Sequence, residues 1–150
     1  MSSVDPRHLA ELNRLLQHDG EAIAMLDHAV EDLDDPELLQ LLRGFRADHA
    51  RHLADLAQAI SDLGGTSVVP DPGPRHSARQ PKAARTVLVT LRSNQYRACA
   101  LHESVASLAL PKPAWRVVER NLEDERRHLE IVESLLAASN PSWRLESRAS

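Results

Sequence analysis

Apolar residues recur along four stretches of this chain at alternating steps of three and four. In the first, Leu9, Leu12, Leu16, Ile23, Leu26, Val30 and Leu33 keep that rhythm with one step of seven, and Asp19 stands in the gap. Such a rhythm puts a stripe on one side of an α-helix, so it predicts helix A over residues 6–33. Asp5-Pro6 supplies the start: a capping carboxylate, then a proline at the first helical position. The second seam, Leu38, Leu42, Phe45, His49, His52, Leu56, Ala59 and Leu63, predicts helix B over 36–63. It opens on Asp34-Asp35-Pro36-Glu37 and stops at Gly64-Gly65. Helix C is predicted over 82–110 from Ala84, Leu88, Leu91, Gln95, Ala98, His102, Val105 and Ala109, and Leu110-Pro111-Lys112-Pro113 breaks it. Helix D is predicted over 113–138 from Val118, Leu122, Glu125, Leu129, Val132 and Leu136.

The link between A and B is short enough to force an antiparallel hairpin. Residues 64–81 are rich in Gly and Pro and read as a loop, long enough to run the length of a bundle. Residues 139–150 lack periodicity and are expected to be a flexible tail, with Trp143 either docked on the bundle or free. The expected architecture is all-α: one domain over 1–138, built as two helical hairpins joined by a long crossover.

Composition sharpens this picture. Only 3% of the 150 residues are aromatic, which disfavours strands. The net charge of −4, with both signs interspersed, argues against a nucleic-acid surface. The basic run Arg75, Arg79, Lys82, Arg85 is short, contains Pro81 and reads as a solvated linker. A lone Cys99 excludes an internal disulfide and suits a reducing compartment. No apolar run approaches ~18 residues, and the first residues lack the apolar segment of a secretory signal. A cytoplasmic protein without membrane or nucleic-acid partners is therefore expected.

The candidate chemistry lies in two similar stretches, Ala47-Asp48-His49-Ala50-Arg51-His52-Leu53 and Glu123-Asp124-Glu125-Arg126-Arg127-His128-Leu129. Each sets an ionisable pair three residues apart, on one helix face, at the same place in the second helix of its hairpin. With a rise of about 1.5 Å per residue, residues equally far from a tight turn lie level. Asp19 then falls between His49 and His52, and Glu125 and His128 fall beside residues 99 and 96, within a turn of Gln95. Asp19, His49, His52, Gln95 and Glu125, with His128 flanking, thus meet at one height. One unpaired buried polar group costs about 1–3 kcal/mol, so these must satisfy one another, a water or a metal ion. Carboxylate with imidazole suits iron, manganese or zinc. A hydrogen-bonded layer that fixes helix register, with no metal, fits the same residues.

Other polar residues carry less. Glu21 and His28 fall on the outer face of helix A. Cys99 flanks the layer as a small buried thiol, Glu103 flanks the seam of helix C, and His102 on that seam is placed as a donor to the ligands. Tyr96 either donates to the layer or lies at the surface. His8, His18 and His76 show no partner pattern. There is no Ser-His-Asp arrangement, phosphate-cradling Gly loop or Cys-x-x-Cys.

Glu125-Arg126-Arg127-His128, with its counterpart in helix B, resembles the ligand motif of the ferritin-like superfamily, rubrerythrin and bacterioferritin included. Asp19-Gly20-Glu21, the Leu110-Pro111 break and Arg120-Asn121-Leu122 resemble a narrower group, the uncharacterised bacterial ferritin-like four-helix proteins. The resemblance spans residues 6–138 and implies a four-helix bundle around a central metal site. Its pattern is Glu, Glu-x-x-His, Glu, Glu-x-x-His. Glu125, His128 and His52 match it, His49 stands where Glu is expected, and helices A and C offer Asp19 and Gln95. Two carboxylates replace four, so a full di-iron ferroxidase centre lacks the negative charge that two ions need. The resemblance thus implies one ion or a degenerate site with none, and weak redox activity only with metal bound. It also implies pairing into a homodimer or larger homo-oligomer. The alternative is a non-catalytic bundle acting by self-association or partner binding, for which the charged outer face of helix D (Glu119, Arg120, Glu123, Arg127) is the candidate surface. A haemerythrin-like oxygen site would need more His on helices A and C and ranks last.

Overall fold

The structure is a computed structural model that describes residues 4–68 and 82–138. Four α-helices account for nearly all of them: α1 (Pro6–Asp32), α2 (Pro36–Asp62), α3 (Ala84–Ala106) and α4 (Lys112–Ala138). The Asp-Pro starts work as the sequence implies. Asp5 accepts from the Arg7 N–H, and Asp35 accepts from the N–H groups of Glu37 and Leu38, satisfying donors that the helix itself leaves open. At the end of α2, Gly64 takes φ of 80° and the Gly65 N–H donates to the Ile60 carbonyl at 2.9 Å. This is the glycine closure that caps carbonyls of the last turn. A Cβ added at Gly65 would sit 2.6 Å from Leu9 Cδ2, so the end of that side chain would have to shift.

Helix α3 is shorter than its pattern. Its seam predicts 110 as the last residue, but the helix stops at Ala106. Ser107 Oγ donates to the Ser104 carbonyl and the Leu108 N–H to the Val105 carbonyl, so the chain has left the helix well before Pro111. Pro111 and Pro113 disfavour helical geometry in the residues before them.

The two described ends of the long connection lie at different heights along α1. Leaving α2, Thr66 and Val68 bond to Asn13 and Gln17 along α1. On the far side, the Lys82 N–H reaches the Asp32 carbonyl at 3.1 Å, at the opposite end of α1. Arg75, Arg79 and His76, and the tail with Trp143, lie outside the described residues.

Two apolar clusters fill the bundle. One holds Leu26, Leu38, Leu42, Phe45, Leu88 and Val132 at the α1–α2 turn end. The other holds Leu12, Leu15, Leu56, Val105 and Val118 at the α3–α4 turn end. A polar slab divides them. Burial of each large aliphatic side chain contributes about 1.5–3 kcal/mol, which lets the slab be tolerated. Among the described residues no helix is long and apolar enough to cross a membrane.

Gly44 sits in the middle of α2, exposed, with nothing within 4 Å of where its Cβ would be. Gly44→Ala is expected to stabilise the protein by about 0.5–1 kcal/mol. Urea denaturation followed by circular dichroism checks it; a loss of stability would show that this position needs the missing side chain.

Candidate metal centre

Asp19 on α1, His49 and His52 on α2, and Glu125 on α4 converge at mid-height. All four are fully buried, and one ligand atom from each lies within 4.8 Å of every other. His49 donates through Nδ1 to Asp19 Oδ1 at 2.7 Å, and His52 Nδ1 lies 3.2 Å from the same oxygen. Glu125 Oε1 stands 3.4 Å from His49 Nδ1 and 3.5 Å from His52 Nδ1, and its Oε2 stands 3.7 Å from His128 Nδ1. These last separations are ion-pair distances rather than well-formed hydrogen bonds.

A second ring of carboxylates orients the imidazoles. His52 Nε2 donates to Asp124 Oδ2 at 2.9 Å, across from α2 to α4, while His128 Nε2 donates to Asp48 Oδ2 at 2.8 Å, across from α4 to α2. Each Asp immediately precedes the first member of its own helix's pair, so the two halves exchange supports reciprocally. Arg51 and Arg127 close the outside: Arg51 pairs with Asp124, and Arg127 pairs with Asp48 at 3.1 Å and with Asp124 at 3.2 Å. With Nε2 committed to Asp, both His52 and His128 turn Nδ1 inward, an arrangement found where imidazole serves as a metal ligand.

Electrostatics follow from this geometry. Burial works against charge on His52, but Asp19, Glu125 and Asp124 together outweigh it and raise the imidazole to about 10. His49 is also raised: burial opposes, and Asp19 and Glu125 prevail. Burial pushes Asp19 upward, yet bonds from His49 and His52 hold it below the usual carboxylate range. Glu125 is likewise held well below that range, against burial, by His128, His52 and His49. Burial drives His18 the other way, toward the neutral ring.

Of the six sequence candidates, four form the cluster. His128 is buried beside it, held by Asp48. Gln95 is buried on α3 with its Oε1 lacking a hydrogen-bond partner among the described residues. His102 does not donate to the ligands; its Nδ1 donates to the Ala98 carbonyl one turn back, at 2.7 Å. Tyr96 is at the surface, bonded to Glu133. Cys99 is a buried thiol pushed up to about 11 by burial, with Glu125 adding to it. Glu103 is exposed and pairs with Arg126, and Glu21 is exposed, whereas His28 is half-buried. On the charged outer face of helix D, Arg120, Glu123 and Arg127 are exposed, and Arg120 pairs with Asp55 and Arg127 with Asp48, both on α2. His18, given no role from the sequence, is buried against His102 with ring centroids 6.4 Å apart.

No protein-family profile and no curated protein matches the chain. Solved structures do. A ferritin-like diiron-carboxylate protein from Bacillus anthracis superposes with a TM-score of 0.72 at 24% identity, covering 91% of this chain and 99% of that one. The bacterioferritin of Mycobacterium tuberculosis gives 0.75 at 20% identity over 91% and 88% of the two chains. That of Desulfovibrio desulfuricans, described with a diiron site, gives 0.73 at 20% identity over 88% and 79%. The chain has the ferritin-like fold.

Within this ferritin-like bundle the supports Asp48 and Asp124 are the residues that seam reading misses. Their signal is present: Asp precedes both ionisable pairs, and Asp-x-x-Arg-His occurs in both halves. What the seam does not carry is that each Asp serves the other helix's histidine. The buried cluster is compatible with a metal ion. Asp19 Oδ2, both Glu125 oxygens, His49 Nε2 and His128 Nδ1 have no hydrogen-bond partner among the described residues. Buried oxygen and imidazole donors left open by the protein suit a cation of borderline hardness.

Proposed function

We propose that the protein binds one divalent cation, iron, manganese or zinc, between Asp19, His49, His52 and Glu125, with His128 and Gln95 beside it. The observation that carries this reading is the convergence of four fully buried donors within 4.8 Å. Two carboxylates balance one divalent charge. A second ion would bring two more positive charges with only the neutral Gln95 and the imidazole of His128 to meet them. The site is thus a one-ion derivative of the diiron-carboxylate arrangement named for the Bacillus anthracis neighbour.

The chain's own contribution is binding and orientation. Asp124 and Asp48 fix the tautomers of His52 and His128, and the apolar clusters above and below exclude bulk water. When bound, such an ion supplies Lewis acidity and, if iron or manganese, a one-electron couple.

Protein purified without chelator, or chelated and reloaded anaerobically with Fe(II), Mn(II) or Zn(II), is expected to hold about one ion per chain. His52→Ala should reduce this to background. Sub-stoichiometric metal that His52→Ala leaves unchanged would refute the reading. The outcome would then favour the second one, a register-setting polar layer, which draws support from the bonds Asp19 already makes to His49 and His52.

A further inference from the structure

The polar slab is two tiers deep, and from the second the metal reading uses His52 alone. The apolar cluster at the α3–α4 turn end contains Leu15, Leu56, Val105 and Val118, one from each helix. One helical turn inward from each of these lie His18, His52, His102 and Asn121. All four are buried, and three of them are wholly so. The rings mark out the tier: His18 and His102 are 6.4 Å apart edge to face, and His52 and His102 are 6.5 Å apart. Only His52 belongs to the cation cluster, and it borders both tiers.

The remaining three side chains carry buried polar atoms without a hydrogen-bond partner among the described residues: His18 Nε2, His102 Nε2 and both Nδ2 and Oδ1 of Asn121. Open donors and acceptors in a buried core are costly and call for a partner. His102 restricts what that partner is. Its Nδ1–H goes to the Ala98 carbonyl, so in the neutral ring Nε2 is a bare acceptor that needs a donor hydrogen. The Asn121 amide offers both a donor and an acceptor. A bare divalent cation is poorly matched here, because the three side chains include no carboxylate to balance its charge.

We propose that His18, His102 and Asn121 form a chamber for a small protic oxygen ligand, water being the simplest, beside the cation cluster. Past His52, which borders both tiers, the chamber supplies that ligand to the cation as its exchangeable ligand. This second role rests on the metal reading; the chamber itself does not.

The chamber is tested on metal-free full-length protein by oxygen-17 magnetic relaxation dispersion, with water as the probe. The wild type is expected to hold at least one long-lived water that Asn121→Leu loses and Asn121→Ser, which keeps a hydroxyl, retains. Equal dispersion amplitude in wild type and Asn121→Leu overturns the chamber. Should Asn121→Leu not fold, His102→Leu serves in its place, with the same expectation. The ligand role is tested by visible spectra of the cobalt(II)-loaded proteins. Loss of one ligand in Asn121→Leu should intensify the bands several-fold at unchanged cobalt stoichiometry. An unchanged spectrum in protein that binds cobalt overturns the ligand role. Wild type that binds no cobalt overturns both that role and the metal reading, while the dispersion result still decides the chamber.

Discussion

Asp19→Leu is expected to destabilise the metal-free protein by about 3–5 kcal/mol, the cost typical of breaking a buried charge pair from one side. Asp19 is fully buried and is the single carboxylate bonded to both His49 and His52. Its loss leaves two imidazoles, both inclined to carry charge, with Glu125 as the one carboxylate they share and Asp124 reaching His52 alone. The contrasting experiment removes the whole group. Asp19→Leu, His49→Leu, His52→Leu and Glu125→Leu together should be near neutral or more stable by about 1–4 kcal/mol, since no orphan charge remains. Guanidinium denaturation of both variants decides the matter. If the single substitution costs less than about 1 kcal/mol, the layer is not electrostatically coupled and both readings of it fail. A stable fourfold variant would show that the cluster is kept for what it binds rather than for folding.

That contrast also marks where sequence reading succeeds. Helix starts were legible because Asp5-Pro6 and Asp35-Pro36 write cap and first turn into adjacent residues, and the described helix limits follow them. The residues of the buried cluster were legible because each interrupts an apolar stripe, and interruptions are visible one helix at a time. His18 escaped because the stripe was drawn too narrowly. Leu15, His18 and Ala22 form its second edge, all buried, while the seam through Leu12, Leu16 and Asp19 accounts for the first. Asn121 escaped likewise, three residues beyond the buried Val118. Asp48 and Asp124 needed something no single stripe contains, the lateral offset between α2 and α4 that lets each carboxylate reach the other helix's imidazole. The ion pairs that exposed Arg120 and Arg127 make with α2 depend on the same offset.

Stability of the metal-free protein is expected to peak in mildly acidic solution and fall on both sides, for two reasons of opposite sign. Asp19 and Glu125 lie below their ordinary values of 3.8 and 4.5, so their contribution is present above those values and is lost as pH drops through the folded ones. His49 and His52 lie above their ordinary 6.5. Their contribution is complete below 6.5 and is lost as pH rises through the folded values, about 10 for His52. The plateau therefore runs from about pH 4.5 to 6.5, with a long decline toward pH 10. A tenfold difference in proton affinity between the folded and unfolded chain is worth about 1.4 kcal/mol, so the alkaline decline should reach several kcal/mol. Cation binding inverts the alkaline limb. His52 holds protons on both nitrogens, donating Nδ1–H to Asp19 and Nε2–H to Asp124, and a cation must displace the inner one. Affinity should thus rise with pH between 6.5 and 10, and loading at neutral pH should release about one proton per ion or more. Titration calorimetry in buffers of different ionisation enthalpy measures that release, and denaturation across pH measures the plateau. Binding without proton release at pH 7 would show that the inner nitrogen of His52 is not a ligand. The cation would then be held by the carboxylates, with His52 remaining as their counter-charge.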